Sequence, residues 1–202
     1  MSALLAMPAP VATGLVLVLA AVIGYAVGSV NPAAIFARVR GTDLREVGSG
    51  NPGATNAGRA FGWRVGVLVA LLDMLKGFLP VIAFEAVGLP EAGLVAGVAA
   101  VLGHVTSPFL RGRGGKGVAT SLGAILAVQP WWAVIALAVF GATFALTRRV
   151  GLASVAAALA LVPAALWVHS TTAQVAFAVA LAVVVVARHR RNLASAFARA
   201  KG

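Results

Sequence analysis

The chain has 202 residues, of which 61% are hydrophobic, and a mean hydropathy of +0.99, a balance that a water-soluble domain of this size could not bury in one core. We therefore expect lipid to be its main solvent. Lys and Arg number 16 against 5 Asp and Glu, which favours anionic partners, but the basic residues are divided among short loops, so no nucleic acid is expected as a partner.

Seven apolar stretches are candidate membrane-spanning helices, because such a helix needs roughly 20 apolar residues and charges or Gly and Pro mark its ends. The N-terminus has no basic residue ahead of its apolar run, so the first stretch is predicted to be a retained span and not a cleaved signal peptide. The predicted spans are residues 11–37, 64–84, 93–110, 116–128, 131–146, 152–167 and 173–187.

The first connection, residues 41–63, is a loop rich in Gly, Asn, Ser and Thr, and its part from 53 to 61 is predicted to form a short helix at the membrane surface. Within it, the small residues of GSGNPGATNAGR let the backbone approach a ligand, and Arg59 can grip a phosphate or carboxylate with two hydrogen bonds. The alternative is a flexible polar loop with a helix cap at Ser49 or Thr55. The candidate binding residues here are Ser49, Asn51, Thr55, Asn56 and Arg59.

The next two spans contain ionisable residues, which are costly in a membrane unless they are paired or used. Asp73 and Lys76 are three residues apart and share a helix face, so we expect them to neutralise each other, with orientation of a site as the alternative. His104, at the end of the third span, is either a general base or a hydrogen-bonded packing residue.

A second cluster, GHVTSPFLRGRGGKGVATS at residues 103–121, places Gly114, Gly115 and Gly117 around Lys116 where the fourth span begins. Unpaired N–H groups and a positive helix end beside a lysine predict an anion site, and the alternative is a basic cytoplasmic turn. It is not a Walker A loop, because Gly117 follows the lysine. The fourth span would reach only about 20 Å, so its N-terminal end is expected to lie in a polar cleft.

The tail begins with ARHRRN, in which His189 and Asn192 either complete a site or belong to a solvated basic segment that contacts lipid headgroups. No spacing of His, Asp and Glu indicates a metal site, and no Ser-His-acid set can be nominated. The absence of cysteine excludes disulfides and thiol nucleophiles. No repeat or linker indicates a second domain, so residues 1–202 are predicted to form one.

Lys and Arg fall on alternate connections, which predicts the orientation, since cytoplasmic loops hold an excess of basic residues. They lie in residues 38–64, 111–116 and 148–149 and in the tail, which includes Arg199 and Lys201, whereas the turns near residues 85–91, 129–132 and 169–174, with His169, have none. We therefore predict an all-α integral membrane protein with seven transmembrane helices, an outside N-terminus and a cytoplasmic C-terminus.

Five stretches together resemble the bacterial acyl-phosphate:glycerol-3-phosphate acyltransferase family, membrane enzymes that make lysophosphatidic acid at the start of phospholipid synthesis. They are GSVNPAAIFARVRGTDLREVGSGNPGATNAGRAFG, LLDMLKGFLP, GHVTSPFLRGRGGKGVATSLGA, TRRVGLASV and RHRRN. The resemblance implies a seven-helix enzyme of the bacterial cytoplasmic (inner) membrane with a cleft facing the cytoplasm. It further implies transfer of a fatty acyl group from acyl phosphate to the 1-hydroxyl of sn-glycerol 3-phosphate, without a cofactor, and we expect a monomer.

The resemblance also implies roles for residues. Ser49 and Arg59 would bind and orient substrate, Lys116 with its glycines would hold phosphate, and His189 and Asn192 would complete the cleft. The catalytic set implied in this way is Ser49, Lys116, His189 and Asn192. The chain departs from the family where Arg191 replaces the usual Glu, which removes an acidic partner, and where Gly112 and Arg113 replace an aromatic residue and Lys, which loses an aromatic contact.

Acyl phosphate already carries a good leaving group, so we expect the enzyme mainly to position substrates and stabilise charge. We hypothesise that the hydroxyl proton goes to a substrate phosphate oxygen, with His104 or His189 as the fallback acceptor. Two other functions are considered. A transporter of organic anions would need polar residues through to the outer face, where the spans are mostly Ala, Val and Leu, and a non-catalytic scaffold would use the glycine-rich loops only as turns.

Overall fold

The computed structural model describes residues 9–168 and 170–198, and within these residues every regular element is a helix. Residues 1–8, His169, Arg199 and Lys201 lie outside the described part. The helices are α1 (Ala9–Ser29), α2 (Pro32–Val39), α3 (Ala54–Phe61), α4 (Trp63–Glu85), α5 (Pro90–Thr106), α6 (Val118–Val128), α7 (Pro130–Thr147), α8 (Val150–Trp167), α9 (Thr172–Arg188) and α10 (Arg190–Ala198), with a 3-10 turn at Pro108–Leu110.

Each of the seven predicted spans contains an apolar helix. Five segments are long and apolar enough to cross a membrane: Ala9–Val39, Trp63–Glu85, Pro90–Leu110, Pro130–Thr147 and Val150–Trp167. The other two, α6 with 11 residues and α9 with 17, are apolar but shorter. The short helix predicted for residues 53–61 is confirmed as α3, although it begins after Gly53 and neither Ser49 nor Thr55 caps it.

Breaks inside the predicted spans occur where proline follows. The first span divides between Ser29 and Pro32, because a residue before proline disfavours helical dihedrals, and Asn31 then caps α2 by accepting a hydrogen bond from Ala34 N at 2.8 Å. Helix α5 ends at Thr106 for the same reason, ahead of Pro108. These breaks release backbone carbonyl groups close to the two polar loops.

The fourth span begins two residues later than predicted. Gly117, its N-cap, has a φ of +83°, a left-handed conformation that favours glycine, so helical dihedrals start only at Val118. The 11 residues of α6 extend about 16 Å, roughly half the hydrocarbon thickness of a bilayer. The start of α6 therefore lies within the protein, as the sequence predicted for a polar cleft.

Helices α1 and α5 pack closely because glycines face alanines. Gly24 and Gly28, one turn apart on α1, meet Ala96 and Ala100 of α5, and a Cβ on either glycine would overlap the α5 backbone. Small residues four apart permit this approach in membrane helices, where dispersion contacts replace the hydrophobic effect as the driving force. The α1–α5 contact thus depends on the absence of two methyl groups.

Gly28→Ala is expected to lower the thermal unfolding midpoint of the detergent-solubilised protein, since forcing the helices apart costs about 1–3 kcal/mol. Gly14→Ala is the matched control on the same helix, because a Cβ there has nothing within 4 Å. Scanning fluorimetry measures both variants. Equal midpoints for the two would show that the close packing of Gly28 does not limit stability.

Candidate active site

A cavity of about 720 Å³ opens among α3, α4, α6, α7, α8 and α9, and both polar and large apolar side chains line it. One face of α6 lines the cavity, because Val118, Ser121 and Ile125 follow one another at successive turns of that helix. The polar side chains that line it are Ser49, Asn51, Thr55, Asn56, Arg59, Asp73, His104, Lys116, Ser121, Arg148, Arg149, Ser154, His189 and Asn192. The large apolar side chains are Val118, Leu122, Ile125, Leu137, Phe140, Val150, Leu152, Leu161 and Val185.

The two glycine-rich segments and the tail, which are far apart in the sequence, meet at this cavity. Ten of the twelve candidate binding residues line it: Ser49, Asn51, Thr55, Asn56, Arg59, His104, Lys116, Gly117, His189 and Asn192. Gly114 and Gly115 are not among the lining residues and are buried behind them. The structure thus places the separately predicted groups in one site.

Asn56, on α3, holds the backbone of the first loop (residues 40–53) through three hydrogen bonds. Its Oδ1 accepts a hydrogen bond from Ser49 N at 3.0 Å, and its Nδ2 donates to Leu44 O at 3.0 Å and to Val47 O at 2.8 Å. Gly48 has a φ of +57°, and a Cβ there would lie 2.5 Å from Asn56 Oδ1. Asn56 is buried, so its amide shapes the loop that presents Ser49 to the cavity.

The second loop (residues 111–117) is held from both sides. Gly114 N donates to Val105 O at 3.2 Å and Gly115 N donates to His104 O at 3.1 Å, so these two N–H groups serve the fold of the loop. Arg188 donates from Nη2 to Gly114 O at 2.9 Å and from Nε to Gly115 O at 3.2 Å. The N–H groups of the first turn of α6 have no partner within the helix, and two residues of that turn, Val118 and Ala119, line the cavity.

Lys116 extends from this loop into the cavity, where its Nζ donates to Asn192 Oδ1 at 2.7 Å. Burial, followed by the positive charges of Arg188 and Arg59, lowers the pKa of Lys116 below its usual range. Gly151 makes room for this contact, since a Cβ there would lie 2.9 Å from Asn192 Nδ2. An anion in the cavity would relieve the repulsion that these cations impose on one another.

His189 caps α9 and is buried beside Lys116. Its Nδ1 lies 2.8 Å from Val185 O, and because a carbonyl oxygen only accepts, Nδ1 carries the proton. Burial, with the charges of Lys116 and Arg188, lowers the pKa of His189, although the bond to Val185 opposes the shift. The ring is therefore neutral at pH 7, with Nε2 able to accept a hydrogen bond.

Asp73, Lys76 and His104 form a buried group at the contact of α4 and α5. Lys76 Nζ lies 2.9 Å and His104 Nδ1 lies 3.4 Å from Asp73 Oδ1, as electrostatic contacts and not as well-aligned hydrogen bonds. Lys76 Nζ also donates to Val30 O at 2.6 Å, in the break between α1 and α2. Pairing of Asp73 with Lys76 is confirmed, and His104 joins it.

Four of the polar lining residues were not nominated from the sequence. Arg148 and Arg149 were interpreted as determinants of topology, yet both line the cavity, and the stretch TRRVGLASV that contains them was a usable signal. Ser121 and Ser154 reach the cavity from the facing helices α6 and α8. Among the described residues, no group of three or more His, Cys, Asp or Glu side chains could hold a metal ion.

Comparison with known proteins gives one consistent result. Residues 18–199 match the family model described as glycerol-3-phosphate acyltransferase. The glycerol-3-phosphate acyltransferase of Geobacter sulfurreducens is 42% identical over 172 residues, which cover 85% of this chain and 89% of that protein. The Aquifex aeolicus enzyme of the same name is 41% identical over 175 residues, covering 85% of this chain and 91% of its own.

Two solved structures with a similar fold belong to a glycerol 3-phosphate acyltransferase as well. The crystal structure of PlsY (YgiH), an integral membrane glycerol 3-phosphate acyltransferase, superimposes in its glycerol 3-phosphate form with a TM-score of 0.86, at 36% identity, covering 90% of this chain and 92% of that one. Its lysophosphatidic acid form gives a TM-score of 0.84 at 35% identity, with the same coverage.

Proposed function

Because the chain belongs to the glycerol-3-phosphate acyltransferase family, we propose that it transfers a fatty acyl group from acyl phosphate to the 1-hydroxyl of sn-glycerol 3-phosphate, giving lysophosphatidic acid and inorganic phosphate. One observation carries the choice of substrates. A single cavity has two kinds of lining: the cationic side chains of Arg59, Lys116, Arg148 and Arg149, here called the polar mouth, and the apolar side chains of α6, α7 and α8, here called the apolar chamber. Two phosphates and one alkyl chain fit those two environments.

Within the proposal, the acyl chain occupies the apolar chamber and its carbonyl carbon lies at the boundary with the polar mouth. The hydroxyl oxygen of glycerol 3-phosphate attacks that carbon, the bond from carbon to the bridging phosphate oxygen breaks, and the hydroxyl proton passes to the departing phosphate. Lys116 and the N-terminus of α6 stabilise the charge on that phosphate. His189 Nε2 is unprotonated and is the fallback acceptor of that proton, whereas the Nδ1 of His104 faces Asp73.

Ser121 is suited to contact the acyl carbonyl oxygen. It is 5% exposed, lines the cavity one turn into α6, and its hydroxyl has no hydrogen-bond partner among the described residues. Ser121→Ala is therefore expected to lower kcat by about tenfold, the value of one hydrogen bond. Thr120→Ala is the matched control, since Thr120 is also buried with an unpartnered hydroxyl but does not line the cavity. Equal kcat values would contradict this assignment.

The decisive test supplies the purified protein in detergent with acyl phosphate and sn-glycerol 3-phosphate, and measures inorganic phosphate and lysophosphatidic acid. We expect equimolar release of the two products, and no product when acyl-CoA replaces acyl phosphate. Failure to form lysophosphatidic acid, with uptake of glycerol 3-phosphate into liposomes instead, would favour a transporter. The apolar chamber argues against that alternative, because a transport pathway needs polar groups along its length.

We further propose one domain, active as a monomer, that crosses the bacterial cytoplasmic membrane seven times, with the cavity mouth facing the cytoplasm and the N-terminus outside. The basic residues of alternate connections support this orientation. Because the chain has no cysteine, single cysteines report topology directly. An impermeant maleimide should label Val87→Cys in intact spheroplasts, whereas Arg113→Cys should require permeabilisation. Labelling in the opposite order would reverse the topology.

A further inference from the structure

We propose that Asp73 is a positioning residue that aligns the two loops of the active site, acting on the first loop through Lys76 and on the second through His104. The proposal deepens the function proposed above and rests on it. All three side chains are buried, with exposed fractions of 2% for Asp73, 6% for Lys76 and 3% for His104. Burying ionisable groups in a membrane helix contact is costly, and a purely structural contact would be served as well by apolar residues.

The first branch runs from Asp73 to the loop that carries Ser49. Lys76 lies against Asp73 and donates to Val30 O at 2.6 Å, a carbonyl group released by the break between α1 and α2. The next residue, Asn31, donates from Nδ2 to Pro52 O at 3.0 Å. Pro52 immediately precedes Gly53, the N-cap residue of α3. The position of Lys76 is thereby transmitted through two consecutive residues to the end of the first loop.

The second branch runs from Asp73 to Lys116. His104 presents Nδ1 to Asp73, and the opposite edge of its ring packs on Gly115, where an added Cβ would overlap Nε2. The backbone oxygen of His104 accepts the hydrogen bond from Gly115 N. Rotation of the ring would therefore displace Gly115, and Lys116 is the next residue in the chain. The carboxylate of Asp73 fixes the ring from the side away from the loop.

Simple charge neutralisation and positioning predict different results for Asp73→Leu/Lys76→Met, which removes the pair together and leaves no unpaired buried charge. Mere neutralisation would leave both KM for glycerol 3-phosphate and kcat unchanged. An unfolding midpoint close to that of the wild type would show that the double variant is folded. In that folded variant, a positioning role predicts that kcat/KM for glycerol 3-phosphate is lowered by at least about tenfold. Unchanged kcat/KM in the folded double variant would overturn the proposal.

A second experiment tests the branch through His104 by compensation. Gly115→Ala should lower kcat/KM by about 100-fold, the scale for displacing a reactive group by 1 Å. Adding His104→Ala removes the ring that the new methyl group meets, so the double variant should be more active than Gly115→Ala but no more active than His104→Ala, which has itself lost this branch. Gly114→Ala is the matched control, because its methyl group would meet the backbone oxygen of residue 104 and cannot be relieved by the same change. If adding His104→Ala changed kcat/KM equally in Gly115→Ala and in Gly114→Ala, the second branch would be contradicted.

The two proposals fail in distinguishable ways. Binding of radiolabelled glycerol 3-phosphate is measured beside turnover for every variant. If the wild type binds glycerol 3-phosphate but forms no lysophosphatidic acid, the proposed acyl transfer is wrong, while weakened binding in Asp73→Leu/Lys76→Met would still support alignment of the loops. If the wild type turns over and the double variant matches it in both measurements, only the positioning role is lost.

Discussion

Lys116→Met is expected to lower kcat/KM for acyl transfer by about 10² to 10³, the cost of removing one well-placed donor to a developing oxyanion. Lys116 is half-buried in the cavity, bonded to Asn192 and close to Arg59 and Arg188, so no water molecule replaces its charge at equal strength. Methionine keeps the length and apolar stem of the side chain. Steady-state rates with acyl phosphate and glycerol 3-phosphate, measured separately for each substrate, quantify the loss.

Arg113→Met is the control for this variant. Arg113 is exposed in the same loop and does not line the cavity, so removing its charge is expected to change kcat/KM by less than about twofold at physiological salt. Loss of activity of similar size in both variants would mean that the general positive charge of the loop is what matters. Retention of most activity by Lys116→Met would remove Lys116 from the proposed mechanism.

The pH dependence of Lys116 follows from its environment. Because burial and the neighbouring Arg188 and Arg59 charges lower its pKa, the ammonium group of the free enzyme loses its proton at a lower pH than an exposed lysine would. We therefore expect kcat/KM to fall as the pH rises through this lowered pKa. In Lys116→Arg, whose guanidinium stays protonated, that alkaline decrease should be absent, even if the rate on its plateau is lower.

The sequence predicted the apolar helices and both loops because these signals are local. Runs of apolar residues define helices wherever lipid is the solvent, and glycines beside Lys116 mark a tight approach whatever surrounds them. The breaks at Asn31 and Ser107 were missed, although each residue directly precedes a proline, because the apolar run continues across them. Hydropathy therefore predicted where the apolar helices lie, but not where their backbone hydrogen bonds are interrupted.

Roles that depend on tertiary contacts could not be predicted from these local sequence signals. The sequence paired Asp73 with Lys76 because they are three residues apart on one helix, whereas His104 approaches from another helix. Likewise, Gly114 and Gly115 were predicted to offer N–H groups to an anion, but the last turn of α5 supplies carbonyl groups that accept them. Such partners come from distant segments, so only the folded chain shows them.

Asn56 is the clearest case of a candidate ligand whose side chain is used by its own loop, and Asn56→Asp is expected to lower kcat/KM by about 10². The substitution keeps the size of the side chain but replaces the Nδ2 donor, which serves Leu44 O and Val47 O, with a carboxylate oxygen that repels both. Each buried carbonyl left without a donor costs about 1–3 kcal/mol. The loop should open, which displaces Ser49 from the cavity.

Two measurements separate opening of the loop from simple repulsion of a phosphate by the new charge. Trypsin should cleave after Arg45 faster in Asn56→Asp than in the wild type, and Asn56→Ala, which adds no charge, should show the same faster cleavage and a raised KM for glycerol 3-phosphate. Arg45→Gln is the activity control, since it breaks only an exposed ion pair with Asp43 in the same loop. If Asn56→Ala kept the cleavage rate and KM of the wild type, the amide would be acting on substrate directly and not through the loop.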